Sequence, residues 1–422
     1  MQNTVVRMLK IIRYTLNNEK SLVLFDQAVF SGNSFIITAL LARFLGINGF
    51  GVYSSIILGA YLLMSMSNAL IIQPMQVAFS KFDHSKSYQG FTLLAQLIIC
   101  VLVFLLTAIL KITSSDAFPF LGTFSLLNAG SLICFWLLYD FFRKLFLASQ
   151  NVKNTVVVDC IMAGIQLVGI LVLGVTQRLT LDTAIILISS SYAVSSLVAF
   201  ILSKITRKDM VFKQSYFSYH KKEGSMLFLS SLLQWWSSNL FVVTSGVFLG
   251  VAALGAFRLV QSMFGVLNML LQTFENYVLP KAAMLFAVSK DESKKYLRII
   301  TKKAALLFAV VLMPLFLFSE QAIYLFGGED YISYHYVVKA MVVLYMVIYV
   351  GYSVRMPIRI LTLNRSFFVG YCISFVFSLI SFQFLLSNFG ITGAVMGLIV
   401  NQILMISYWY VKLKKYNFTI WG

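Results

Sequence analysis

The chain has 422 residues, of which 59% are hydrophobic, 15% aromatic and only 11% charged, against roughly 25% charged in a soluble globular chain. That balance excludes a water-soluble fold. The net charge of +18 does not point to nucleic acid either, because the lysines and arginines gather in alternate loops between apolar runs. Those runs reach the length of about 18–20 residues that a helix needs to cross the hydrocarbon, so the sequence predicts an all-α polytopic membrane protein.

Twelve spans are expected, near 21–45, 52–79, 91–112, 118–142, 154–175, 180–203, 225–249, 255–279, 304–326, 336–358, 366–387 and 391–411. No loop between them is long enough for a soluble domain. Lys and Arg number 28 in residues 1–20, 80–90, 143–153, 204–222, 281–303, 355–365 and 412–415, and the remaining five are Arg43, Lys111, Arg178, Arg258 and Lys339. Positively charged loops stay in the cytoplasm, so both termini are expected there, with the basic side against anionic headgroups of the lipid bilayer.

Residues 1–20 lack the apolar core and cleavage site of a signal peptide. Val5, Leu9, Ile12 and Leu16 share one helical face, away from Arg7, Lys10 and Arg13, which suits either an interfacial helix or a basic tail. The first span carries Asp26. A carboxylate at mid-bilayer costs roughly 2.5–3.5 kcal/mol, so Asp26 must face the bundle interior, where water, a cation or a basic group offsets that cost. Gln27, Ser31 and Asn33 follow it, with Arg43 near the outer end. The second span ends with Asn68, Gln73 and Gln76. Asp140, Arg143 and Lys144 close the fourth span with the i,i+3 and i,i+4 spacing of surface ion pairs, and Asp159 opens the fifth near enough to join them. Cys100, Cys134, Cys160 and Cys372 lie within spans, form no C-x-x-C and read as packing residues.

Residues 204–224 hold six basic residues and read as a cytoplasmic linker. After it the chain repeats itself. Phe44-Leu45-Gly46 matches Phe248-Leu249-Gly250 at an offset of 204, Pro74 matches Pro280 at 206, and Asn151 faces Asn364 at 213. Six spans in each half enter the membrane in the same direction. The prediction is therefore two parallel-repeat six-helix bundles, 1–203 and 225–422, around a central cavity.

The seventh span offers Gln234, Trp235, Trp236 and Asn239, and the eighth Arg258, Gln261, Asn268, Gln272 and Glu275. The last four step by 7, 4 and 3, which holds them on one helical stripe facing protein or water. Amides suit sugar hydroxyls because each donates and accepts, and Arg258 suits a phosphate oxygen. Blander roles stay open: aromatic belts for the tryptophans, snorkelling for Arg43 and Arg258, helix-joining hydrogen bonds for the amides and a place at the cytoplasmic boundary for Glu275. Arg355 and Arg359 read as headgroup anchors. His84, His220 and His335 are expected in loops, far apart, and no hydrolytic, redox or Walker pattern appears. No enzyme activity, metal site or cofactor is expected, and any pumping would draw on something other than the protein's own ATP hydrolysis.

Asp26-Gln27, Leu41-Ala42-Arg43-Phe44-Leu45-Gly46, Gly51-Val52-Tyr53, Asn68-Ala69 and Ile72-Gln73-Pro74-Met75, with Asp140, Arg143-Lys144, Phe146, Ala148 and Asp159, resemble the opening third of Wzx-like polysaccharide and O-antigen flippases. These belong to the multidrug, oligosaccharidyl-lipid and polysaccharide exporter superfamily. The resemblance implies a bacterial inner-membrane protein. Its substrate would be an oligosaccharide repeat unit on undecaprenyl diphosphate, carried to the outer leaflet by alternating access. A polysaccharide polymerase and chain-length proteins would be the protein's partners, and coupling to H+ or Na+ is a hypothesis for which Asp26 is the candidate, because a carboxylate can take up either cation. A drug or organic-cation antiporter of the same superfamily is the first rival. A polysaccharide polymerase or ligase is the second, and the short outer loop around 326–336 argues against its long catalytic loop.

Overall fold

The computed structural model describes residues 19–79, 81–82, 85–113 and 125–420. The helix expected over 1–20 lies outside them but for its last two residues. The described chain is helical throughout: α1 Glu19–Ser67, a π-turn Asn68–Ile72, α2 Gln73–Ala78, α3 Lys86–Thr113, α4 Leu126–Ala148, α5 Val152–Val175, α6 Leu181–Ser203, α7 Gln214–Leu249, α8 Val251–Met263, α9 Gly265–Thr273, a second π-turn Phe274–Val278, α10 Leu279–Val288, α11 Lys290–Leu317, α12 Ser319–Gly327, α13 His335–Ile360 and α14 Asn364–Lys415. Among the described residues, eight helices are long and apolar enough to cross a membrane, and the bent pair α8–α9 makes a ninth. The remaining spans come from chain breaks and charge. α1 and α14 each hold two spans joined at Gly46 and Gly390, and α4 is membrane-length but carries Asp140, Arg143 and Lys144. Counted so, the described residues hold twelve membrane-length segments.

The ends of these helices follow local chemistry. The Ser125 hydroxyl accepts from the Asn128 amide at the start of α4, and Asn151 does the same for Asn154 at α5. Thr180 and Thr183 form a reciprocal capping box at α6. These bonds satisfy amides that have no partner in a helix's first turn.

The chain packs as two compact units, one comprising residues up to Leu45 with Ile56–Ser231, the other Gly46–Ser55 with Leu232–Gly422. In the first, Trp136 stacks on Tyr192 at 5.5 Å, and Tyr139 lies against Tyr192 at 5.1 Å. In the second, Trp409 stacks on Phe367 at 5.2 Å and donates to the Ser366 carbonyl at 3.0 Å. Also in the second, a Cβ on Gly255 would lie 2.6 Å from the Ile47 carbonyl oxygen, so only glycine permits that backbone approach.

The backbone repeats more closely than the residues do. Gly46 (φ 66°, ψ 175°) and Gly250 (φ 88°, ψ 170°) break the chain in one conformation, which other residues rarely adopt. The π-turns beginning at Asn68 and Phe274 are each followed by a proline, Pro74 and Pro280, in the next first turn. α4 ends at Ala148 and α13 at Ile360, 212 residues apart. Gln150 and Thr362 follow in left-handed conformation (φ 57° and 51°). Asn151 N then donates to Phe146 O, and Leu363 N to Ile358 O. The late register is therefore 212, which pairs Asn151 with Leu363 and not, as the sequence suggested, with Asn364. One residue matters here, because it turns a helix by about 100° and changes which side chains correspond.

Candidate functional site

In the first unit, Arg143 on α4 gathers two acids from other helices. Its Nη2 donates to Asp26 Oδ2 at 2.7 Å and its Nε to Asp159 Oδ2 at 2.8 Å. Tyr139 Oη donates to the other oxygen of Asp159 at 2.6 Å. The guanidinium lies 4.1 Å above the Phe30 ring. Asp26 is 3% exposed and Asp159 fully buried. With all three groups ionised the node carries a net charge of −1, and Asp26 Oδ1 has no partner among the described residues. A buried charge persists only when paired and hydrogen-bonded, so this arrangement has room for one further cation or proton.

The surface ion pair expected at the end of the fourth span is a buried network. Arg143 is 8% and Asp140 6% exposed, and Arg143 turns from its i−3 neighbour to acids on α1 and α5. Lys144 remains with Asp140 at 2.8 Å and also donates to Asn68 Oδ1 at 2.6 Å. The i,i+3 spacing identified Arg143's charge but not its direction, which α4's burial decides.

Three other polar residues of the first unit form a joint between helices. Asn33 Nδ2 donates to Gln166 Oε1 at 2.8 Å, and Gln166 Nε2 to Ser191 Oγ at 2.8 Å, which ties α1, α5 and α6. Gln27 bonds to Ser31 at 2.9 Å one turn on. Arg43 and Gln73 are exposed. His220 lies within α7, not in a loop. It is held between the Tyr88 hydroxyl at 2.9 Å and the Leu70 carbonyl at 3.1 Å. His335 opens α13, and His84 lies outside the described residues.

In the second unit the expected polar stripe is interrupted. The chain bends by 49° between α8 and α9 and enters a π-turn at Phe274, so Gln261, Asn268, Gln272 and Glu275 do not continue one regular helical face. Arg258 donates to Gln261 at 2.9 Å. Tyr345 donates to Asn268 at 3.0 Å. Gln272 is exposed and Gln234 half-buried, and Asn239 donates back to the Trp235 carbonyl at 2.9 Å. Glu275 accepts from Arg355 Nη2 at 3.1 Å and from Arg359 Nη1. The two arginines expected as headgroup anchors thus hold a carboxylate.

Sequence reasoning set Asp159 close enough to join Arg143, but it missed Arg143 as the partner of Asp26, Tyr139 as a partner of Asp159, and the chain from Asn33 through Gln166 to Ser191. One signal was available for the first set: an aspartate at membrane depth requires a buried cation, and α4 carries one on a span otherwise rich in aromatics.

No protein-family model matches the chain, and no curated protein matches it. Its fold is found among solved structures. An inward-facing multidrug resistance MATE family transporter of the MOP superfamily matches with a TM-score of 0.73 at 11% identity, over 93% of this chain and 95% of that one. The lipid II flippase MurJ in an inward closed conformation matches with a TM-score of 0.72 at 11% identity, over 94% and 87%. The Vibrio cholerae MATE transporter VcmN matches with a TM-score of 0.60 at 16% identity, over 95% and 97%. At these identities the shared property is the fold, and it extends over nearly the whole chain.

Proposed function

We propose that this chain is a flippase for undecaprenyl-diphosphate-linked oligosaccharide repeat units. It would move them from the cytoplasmic to the periplasmic leaflet of a bacterial inner membrane by alternating access, with two six-helix bundles as the moving parts and both termini cytoplasmic. The observation that carries the reading is the buried Asp26–Arg143–Asp159 node, set in a fold shared with a lipid II flippase and with multidrug transporters. A scaffold does not require such a node, since apolar packing in its place is as stable or more so. In a transporter it supplies a group that changes charge as it binds and releases a cation.

The physical need for a protein is large. A sugar-diphosphate head that crosses hydrocarbon loses its hydration, at several kcal/mol for each polar group left unpaired and far more for each charge. A polar path replaces that hydration while the isoprenoid tail stays in lipid. Gln27, Ser31, Asn68, Gln234, Asn239, Arg258, Gln261, Asn268, Gln272 and Glu275 are the proposed contacts along such a path. Asp26 is the proposed coupling residue for H+ or Na+, its unpartnered Oδ1 being the accepting atom.

Deletion tests the substrate and Asp26→Asn the coupling. Loss of surface polysaccharide, with lipid-linked repeat units trapped facing the cytoplasm, supports flipping, and normal surface polymer rejects it. Asp26→Asn is expected to abolish gradient-driven flipping while leaving substrate binding intact. Unchanged transport removes Asp26 from the coupling role. The second reading is an organic-cation exporter, favoured by the net negative charge of the same node and by the multidrug transporters of this fold. Export of a fluorescent cation by reconstituted protein, with no effect of deletion on surface polysaccharide, would replace the first reading with this one.

A further inference from the structure

The matched turns place Arg143 and Arg355 at the same point of the two halves, 212 residues apart. Arg143 shows what a buried guanidinium at this point binds. Nε takes one carboxylate and Nη2 another. The positions that correspond to Asp159 and Asp26, at the offsets of 212 and 204, are Tyr371 and Ser230. Neither acid is present in the second half.

Arg355 has instead one carboxylate, Glu275, 3.1 Å from Nη2, and Glu275 also serves Arg359. The Arg355 guanidinium lies 5.2 Å from the Tyr352 ring and 5.5 Å from the Phe367 ring. Attraction to a ring draws on the cation's charge and uses none of its N–H donors as conventional hydrogen bonds. The Nε that Arg143 gives to Asp159 is, in Arg355, buried and without a partner among the described residues. Charge follows the same contrast. Two acids on one arginine make the first node −1, whereas one acid on two arginines makes the second +1.

We infer that Arg355, with Arg359 beside it, is an oxyanion site, in which a phosphate oxygen of a bound ligand takes the place that a second carboxylate takes at Arg143. Arginine forks match phosphate and carboxylate geometry alike. Two ligands carry that chemistry, an isoprenyl diphosphate and an anionic phospholipid headgroup. The first source rests on the function proposed above, and the second does not need it.

Equilibrium binding to the purified full chain in detergent, followed by native mass spectrometry, tests this with two probes, farnesyl diphosphate and phosphatidylglycerol. Arg355→Gln is expected to weaken binding by about tenfold or more, the loss of one charge-assisted bond. Glu275→Gln removes the competing acid and is expected to strengthen binding several-fold, an effect that a merely structural ion pair would not produce. The probe bound more tightly names the source. Absence of binding by both probes, or binding that Arg355→Gln leaves unchanged, overturns the inference. So does Glu275→Gln binding no tighter than the parent, and this variant decides alone where Arg355→Gln does not purify as a folded protein. No gradient or transport enters the measurement, so a failed flipping assay and a failed binding assay are separate results.

Discussion

Arg143 and Asp159 meet through Nε and Oδ2 at 2.8 Å, with Asp159 fully buried and Asp26 on the neighbouring nitrogen at 2.7 Å. Removal of the cation leaves two carboxylates close together away from water. Arg143→Met is therefore expected to destabilise the first unit by about 3–5 kcal/mol, the range for breaking a buried pair from one side. Arg143→Met combined with Asp26→Asn is expected to recover part of that loss, because one uncompensated charge is gone. Thermal unfolding in detergent reads both. A single variant that melts with the parent would mean that the node does not hold α1, α4 and α5 together.

Gly46 and Gly250 share a backbone conformation open almost only to glycine. A Cβ on Gly250 meets nothing within 4 Å, so any penalty there comes from the backbone alone. Gly250→Ala is expected to cost about 1–3 kcal/mol. The opposite holds for Gln150 and Thr362, which occupy left-handed conformations as non-glycine residues (φ 57° and 51°). Gln150→Gly and Thr362→Gly are expected to be neutral or stabilising by up to about 1 kcal/mol. Melting temperatures of the three variants check the contrast, and a Gly250→Ala protein as stable as its parent would refute it.

The all-α membrane class was legible because twenty-residue apolar runs have few other uses. The repeat was legible at Gly46/Gly250 and Pro74/Pro280 because backbone constraints keep glycine and proline where other residues drift. Its late register was not, since the Gln150 and Thr362 turns share geometry with no residue in common. Asp26 was legible as a buried acid from its cost alone. Its partners were not, because a residue's spacing along a helix fixes its face and not the helix it will meet. The stripe from Gln261 to Glu275 failed for a related reason: the spacing argument assumes an unbroken helix, and nothing in Phe264-Gly265 or Phe274-Glu275 announces a bend followed by a π-turn.

Gln166 is the middle of a three-residue chain, accepting from Asn33 and donating to Ser191, each at 2.8 Å, while itself 3% exposed. Gln166→Leu keeps the volume but leaves Asn33 and Ser191 without it, at an expected loss of about 1–3 kcal/mol. Asn33→Leu together with Gln166→Leu is expected to lose less than the two single changes summed, since the second substitution removes a group the first has orphaned. A double-mutant cycle on unfolding midpoints measures the difference. Simple additivity would show that the bond between Asn33 and Gln166 contributes nothing.

His220 joins α7 to two elements of the first unit. One ring nitrogen meets the Tyr88 hydroxyl at 2.9 Å, and the other meets the Leu70 carbonyl at 3.1 Å. Leu70 lies in the π-turn Asn68–Ile72, where the altered helical spacing presents a carbonyl to an outside donor. Gly224 sits one turn further on, where a Cβ would come 3.2 Å from the Leu70 backbone, so the start of α7 rests directly on that turn. His220→Phe keeps a flat ring but offers neither bond, so the buried Tyr88 hydroxyl and the Leu70 carbonyl each lose this partner. The start of α7 is then expected to lift more often, and Lys221 and Lys222 beside it are exposed residues that trypsin can reach. Limited trypsin digestion should nick the variant within 204–222 several-fold faster than the parent, with the rest of the chain equally resistant. Equal nicking rates would mean that packing of Tyr216 and Phe91, and not the histidine, fixes this end of the helix.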